Sequence, residues 1–246
     1  MLTGKTAIVT GGGRDIGRAC AIKLAQMGAN VAINYYSSSA GAEETLAQIK
    51  AKGGNAIAVQ GDLSEPDAAA MLVTKTIEEF GSIDVLVNNA GGLVARGKVA
   101  EMTLEHWNTV IDLNLTSTFL MIRAGLPQME KGAIINLASQ AGRDGGGAGA
   151  VPYATSKGAI MTMTRGLAKE LGPDVRVNAI CPGMIDTDFH NIHTTDDVRR
   201  TVEATSPVKR QGTPDDIGQL VGFLASDASS FITGANIDIN GGMLFS

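Results

Sequence analysis

Tyr153 and Lys157 are four positions apart, directly after Pro152. Proline suits the first turn of a helix, and residues four apart share one helix face, so a phenol and an ammonium are set side by side. Opposite charge favours an ionised phenol. It draws the tyrosine down from its ordinary value near ~10, toward the range where it works as a proton donor and acceptor. Ser139 follows the apolar run Ile134 to Ala138, and Asn88-Asn89-Ala90-Gly91 closes the run Val85-Leu86-Val87. Ligands of open α/β sheets sit beyond the carboxyl ends of strands, which makes both segments candidates. Asn114 lies within the apolar helical stretch Ile111 to Leu120, where a poor helix former calls for a structural or catalytic reason.

A second cluster is Thr10-Gly11-Gly12-Gly13-Arg14-Asp15-Ile16-Gly17, between an apolar run and a helical pattern. Glycines such as Gly11 and Gly13 allow a sharp turn and close approach to a pyrophosphate, and the N-terminus of the next helix offers free N–H groups. The G-x-G-x-x-G pattern is not met, because Ile16 stands where its third glycine would fall. Arg14 can meet the 2′-phosphate of NADP. The segment Asn34-Tyr35-Tyr36-Ser37, which follows the second apolar run, carries neutral donors in place of the acid that holds an unphosphorylated ribose. NADP(H) is therefore favoured, with NAD(H) the alternative.

The elements that must carry these groups read as an alternation. Apolar runs at residues 7–9, 31–33, 56–59, 85–87, 133–137, 176–180 and 236–239 alternate with helical patterns at 16–27, 42–51, 68–80, 104–126, 153–171 and 217–224. Uninterrupted apolar strands separated by helices predict a parallel sheet covered on both faces. Seven strands, with glycines after the first, favour a single-domain doubly wound Rossmann-type α/β fold over a (β/α)8 barrel. No linker divides the 246 residues.

Together these residues resemble the short-chain dehydrogenase/reductase family over nearly the whole chain. The match runs through Thr10-Gly11 to Gly17, Asp62, Asn88 to Gly91, Asn114, Ser139, Tyr153-x-x-x-Lys157 and Pro182-Gly183 to Thr187. The resemblance implies that Tyr153 exchanges the substrate proton and that Lys157 lowers its pKa and holds the nicotinamide ribose. It implies that Ser139 binds the substrate oxygen and that Asn114 positions a water in a proton relay. Asp62 and Leu63 would contact the adenine, and Asn89, Ala90 and Gly91 would line the cofactor groove. Pro182, Gly183, Ile185 and Thr187 would hold the nicotinamide end. Residues of about 188–212 would form a substrate lid, with interfaces of a homotetramer near Asn114, Tyr153 and the C-terminus. Asp15 departs from the pattern, since the family carries glycine there; a helix-capping side chain would accommodate it. The glycine-rich segment 142–150 lengthens the Ser139-to-Tyr153 gap by about one residue, which reads as a loop shaped around a substrate.

Gln140, Arg143, Met184 and His190 are expected at the substrate rim, with Gly92, Leu93 and Phe189. The polarity of Gln140, Arg143 and His190 suggests a small sugar or keto-sugar acid, with a 3-oxoacyl thioester as the alternative and a non-catalytic nucleotide-binding regulator as an alternative of another class. The net charge of −5 carries no basic footprint for nucleic acid. Two unpaired-looking cysteines and the absence of a long apolar run give a cytoplasmic expectation with no membrane partner. His190 and His193 lack an obvious third ligand, so no metal is expected.

Overall fold

In the computed structural model, which describes residues 1–245, each apolar run becomes a strand. The first half of the chain is β1 (Thr6–Val9), α1 (Asp15–Gln26), β2 (Asn30–Tyr35), α2 (Ser39–Ala51), β3 (Ala56–Gln60), α3 (Pro66–Phe80) and β4 (Val85–Asn88). Next come α4 (Leu104–Ile111), a π-helical turn at Asp112–Thr116, α5 (Ser117–Gly125), β5 (Gly132–Leu137), α6 (Ala141–Asp144), α7 (Val151–Leu171) and β6 (Val175–Pro182). The chain closes with α8 (Asp188–His193), α9 (Asp196–Thr205), α10 (Pro214–Ala225) and β7 (Asn236–Ile239).

All seven strands are parallel, in the order β3-β2-β1-β4-β5-β6-β7. The two-residue period of a strand assigns its side chains to opposite layers. Ala7, Val9, Val31 and Ile33 pack with Leu24 of α1 and Val221 of α10 on one face. Ile8, Ala32, Leu86 and Ile134 pack with Leu72 of α3 and Ala168 of α7 on the other. Small residues bring α1 and α10 together: a Cβ on Gly218 would stand 3.0 Å from the Ala19 carbonyl oxygen. Reciprocal hydrogen bonds between Thr213 and Asp216 cap α10, whose first turn carries Pro214.

Two expectations need adjustment. The helical stretch at 104–126 is not continuous, because the π-helical turn at Asp112–Thr116 separates α4 from α5. A one-residue excess in a helix leaves no mark on side-chain periodicity that short. The segment 142–150 is not all loop, since α6 occupies its start and stops at Gly145, which adopts φ 86°. Residues 188–212 hold two short helices, α8 and α9. Among the described residues no helix is long and apolar enough to cross a membrane.

Candidate active site

Successive connections run outward in opposite directions from β1 and β4, and the crevice between them opens at their carboxyl ends. The turn after β1 is too tight for side chains. Gly11 has φ 63°, and a Cβ on Gly17 would meet the Gly11 carbonyl oxygen at 2.1 Å. Thr10 Oγ1 accepts hydrogen bonds from the Asn89 and Ala90 N–H groups, both at 2.9 Å. Asn89 Nδ2 returns bonds to the carbonyls of Thr10 and Gly11 at 2.9 and 3.3 Å. The turns after β1 and β4 are thereby fixed to each other. Among the described residues no side chain caps the first turn of α1. A glycine cradle facing uncapped helix N–H groups fits a dinucleotide pyrophosphate.

Sequence reasoning missed two organisers of this turn. Arg18 donates to the Gly13 carbonyl at 2.9 Å and to Thr45 Oγ1 at 3.2 Å, and pairs with Glu44 at 2.9 Å. Buried Thr45 donates to the Gly12 carbonyl at 3.0 Å. Arg18 sits one turn beyond Arg14, a spacing that carries the signal only once the turn's shape is known.

Several expected cofactor contacts are placed differently. The Asn34 side chain points inward, accepting from Gly11 N–H at 3.4 Å and donating to the Gly61 carbonyl at 3.0 Å. It braces the turn and is not free to donate to a ribose. Tyr35 packs on the core beside α1, while Ser37 is exposed. Leu63 is 5% exposed within the opposite core layer, so only its backbone could touch an adenine. Asp62 Oδ1 accepts from Ser64 N–H and Oγ, at 3.0 and 2.7 Å, in an Asx turn. Ile185 is likewise a core residue, and Thr187 Oγ1 donates to its carbonyl at 3.1 Å. Pro182 ends β6, and a Cβ on Gly183 would stand 2.7 Å from Asn240 Cβ.

Arg14 is 62% exposed and only loosely paired, 3.9 Å from Asp15 and 3.7 Å from Asp188. A phosphate could recruit it without breaking a tight ion pair. Asp15 does not cap α1, contrary to the expectation. It is the first residue of that helix, with φ 47°, and its Oδ1 accepts from the Asp188 N–H at 3.5 Å.

The candidate proton-handling groups converge above β4 and β5. Asn114 is fully buried in the π-helical turn. Its Nδ2 donates to the Gly92 and Val110 carbonyls, both at 2.8 Å, and its Oδ1 accepts from Gly92 N–H at 3.0 Å. A Cβ on Gly91 would lie 2.5 Å from Asn114 Oδ1 and 3.2 Å from Lys157 Nζ, so these three residues adjoin. Lys157, 4% exposed, donates to the Leu137 carbonyl at 2.7 Å, and burial pulls its pKa down to about 8. Ser139 Oγ accepts from Ala141 N–H at 3.1 Å.

Tyr153 departs from the expected electrostatics. Burial raises its pKa, and the opposing influence is a hydrogen bond with Ser139, not the Lys157 charge. Lys157 Nζ lies 5.7 Å from the centre of the Tyr153 ring, with its hydrogen bond directed to Leu137. A shared helix face brought the two together, and burial is the largest influence at the phenol.

On the substrate side, Phe189 of α8 lies over Tyr153, with ring centres 5.8 Å apart, and His190 meets Phe189 edge-on at 5.0 Å. Burial, then Arg199 and other neighbouring cations, lower the His190 pKa to about 4, so its ring is neutral at ordinary pH. Its Nδ1 pairs with Thr194 Oγ1 at 2.8 Å. Arg143 is turned away from a substrate role: Nε pairs with Asp238 and Nη2 donates to the Asn236 carbonyl, both at 2.7 Å, fastening α6 to β7. Gln140 donates to Asp144 at 2.9 Å, and the Met184 backbone receives Gly212 N–H at 3.0 Å. Arg96, which sequence reasoning overlooked, donates to the carbonyls of Ala148 at 2.9 Å and His193 at 3.5 Å. It joins three segments of the rim.

Comparison with known proteins bears on the family and the fold. A family profile described as enoyl-(acyl carrier protein) reductase matches residues 11–244. The chain is 40% identical to the 3-oxoacyl-(acyl-carrier-protein) reductase of Staphylococcus epidermidis, covering 97% of this chain and 98% of that one. It is also 40% identical to glucose 1-dehydrogenase 2 of Bacillus subtilis, covering 98% and 95%. Among solved structures, a Serratia marcescens short-chain dehydrogenase/reductase variant superposes with a TM-score of 0.93 at 33% identity, covering 98% of each chain. A blue fluorescent protein from a metagenomic library, in complex with NADPH, gives 0.92 at 36%, covering 99% of each. The chain belongs to the short-chain dehydrogenase/reductase family. It is an oxidoreductase of the class that acts between an alcohol and a carbonyl.

Proposed function

We propose that this enzyme reduces the carbonyl of a small polar substrate with NADPH, Tyr153 supplying the proton. The reading is carried by Tyr153, Ser139 and Lys157 meeting at the strand ends beside the glycine cradle. Gly11, Gly13, Ile16, Ala90 and Gly91 would receive the cofactor through their backbone, and Arg14 would receive a 2′-phosphate. NADPH is also the ligand of the metagenomic relative. The bound nicotinamide supplies the hydride.

Burial raises the phenol above its ordinary value, so it carries at neutral pH the proton that a donor to a carbonyl oxygen must hold. Ser139 would share that oxygen, and Lys157, still mostly an ammonium near neutrality, would stabilise the phenolate left behind. Buried Asn114 would hold the Gly92 backbone and the water side of Lys157 in place.

Neutral His190 and the Arg96 cation favour a polyhydroxylated or acidic carbonyl compound. The curated 3-oxoacyl-thioester reductases support a second reading, in which the carbonyl is that of a 3-oxoacyl thioester. NADPH oxidation with an acetoacetyl thioester and with a uronate-derived keto acid separates the two. Faster turnover of the keto acid supports the first reading, and a wide preference for the thioester replaces it with the second. Exposed Leu104, Phe119 and Val151, on α4, α5 and α7, suit the contacts of a homotetramer. Residues 188–212 would act as the lid.

A further inference from the structure

The carboxylate of Asp15 stands in a place that works against the proposed cofactor. It is the first residue of α1, beside the glycine cradle that a pyrophosphate would occupy, and a negative charge there repels a polyanion. Its backbone has φ 47°, a conformation that aspartate tolerates and glycine adopts freely. The helix dipole favours an acid in a first turn, but neither helix capping nor backbone geometry requires one at this position.

The side chain itself supplies an account. Asp15 Oδ1 accepts from the N–H of Asp188, the residue that opens α8, across 173 positions of sequence. Arg14 lies between the two carboxylates, 3.9 Å from Asp15 and 3.7 Å from Asp188. The next residue along α8 is Phe189, the ring that covers Tyr153. One short path thus runs from the glycine-rich turn, through Asp15 and the start of α8, to the ring above the phenol. Burial and the nearby Asp188 charge both raise the Asp15 pKa, with the Asp188 N–H, Arg14 and Arg18 opposing them.

We infer that Asp15 is a positioning residue that tethers the lid helix α8 to the cofactor turn, its acceptor oxygen holding the lid while its charge weakens cofactor binding. The inference rests on the readings of residues 188–212 as lid and of the glycine cradle as the NADPH seat. It assigns two separable properties to one side chain. Asparagine keeps the acceptor and tolerates the same φ but has no charge; glycine removes both and fits the backbone.

The test compares wild type, Asp15→Asn and Asp15→Gly in full-length protein, using NADPH fluorescence titration and amide hydrogen exchange at residues 188–193 without cofactor. Both variants are expected to bind NADPH about tenfold more tightly than wild type, from relief of like-charge repulsion. Exchange at 188–193 should rise about fivefold or more in Asp15→Gly, as for loss of one hydrogen bond, and stay near wild type in Asp15→Asn. Equal exchange in all three proteins would overturn the tether, and unchanged or weaker NADPH binding in both variants would overturn the charge effect. Failure of wild type itself to bind NADPH would instead remove the cofactor reading, a result distinct from either.

Discussion

Lys157 Nζ lies 5.7 Å from the centre of the Tyr153 ring while donating its hydrogen bond to the Leu137 carbonyl at 2.7 Å. The ammonium is held over the phenol's ring by the end of β5, close enough to stabilise a phenolate when one forms, while burial keeps the resting phenol protonated. A tyrosine placed this way holds the proton that the proposed reduction would use.

The first prediction concerns pH. Burial lowers the Lys157 pKa to about 8, so the ammonium predominates below that value and the neutral amine above it. Carbonyl reduction needs both the phenol proton and the ammonium. Its kcat/KM should therefore be level near neutrality and fall as pH rises through about 8. A profile still rising there would show that Lys157 does not act as a cation.

Arg14 is the exposed cation of the turn and the candidate partner of a 2′-phosphate. Arg14→Ala should weaken NADPH binding by about tenfold or more, the loss expected for a charge-assisted hydrogen bond, with NADH binding little changed. Equal losses for both cofactors would place the phosphate elsewhere.

Gly91 packs its Cα against Asn114 and Lys157 with no room for a methyl group. Gly91→Ala should displace one of them, lower turnover, and destabilise the protein by about 1–3 kcal/mol through overpacking. Thermal melting and steady-state kinetics report both effects. An alanine variant with unaltered melting and turnover would contradict this close packing.

Arg143 is bound to Asp238 and the Asn236 carbonyl, with its side chain 18% exposed. Arg143→Met should lower stability in denaturant by about 2 kcal/mol, the scale of hydrogen bonds to a charged group, and leave substrate KM unchanged. A raised KM with full stability would return Arg143 to the substrate rim.

Much of this arrangement was legible in the sequence. Strands of a parallel sheet are buried on both faces, so Ile33, Val87 and Ile135 sit in plain apolar runs, and all seven strands fell where those runs did. Tyr153, Lys157, Ser139 and Asn114 could be singled out as candidates because helix spacing and strand ends place them without knowledge of partners. What escaped depends on partners remote in sequence. Arg143 meets Asp238 across 95 positions, Asn34 turns inward to Gly11 and Gly61, and Asp15 reaches α8. The π-helical turn around Asn114 was hidden because its five residues belong equally well to an α-helix. The upward direction of the Tyr153 shift was not foreseen because sequence shows the neighbouring charge but not the burial that raises it.

The central claim is that the Tyr153 hydroxyl delivers the substrate proton. It is tested most directly by Tyr153→Phe, measuring both NADPH affinity and NADPH oxidation with whichever carbonyl probe the wild-type enzyme reduces. Turnover should fall by about 100-fold or more, the usual worth of a positioned acid, while NADPH affinity stays near wild type. A phenylalanine enzyme that turns over at the wild-type rate would contradict the account.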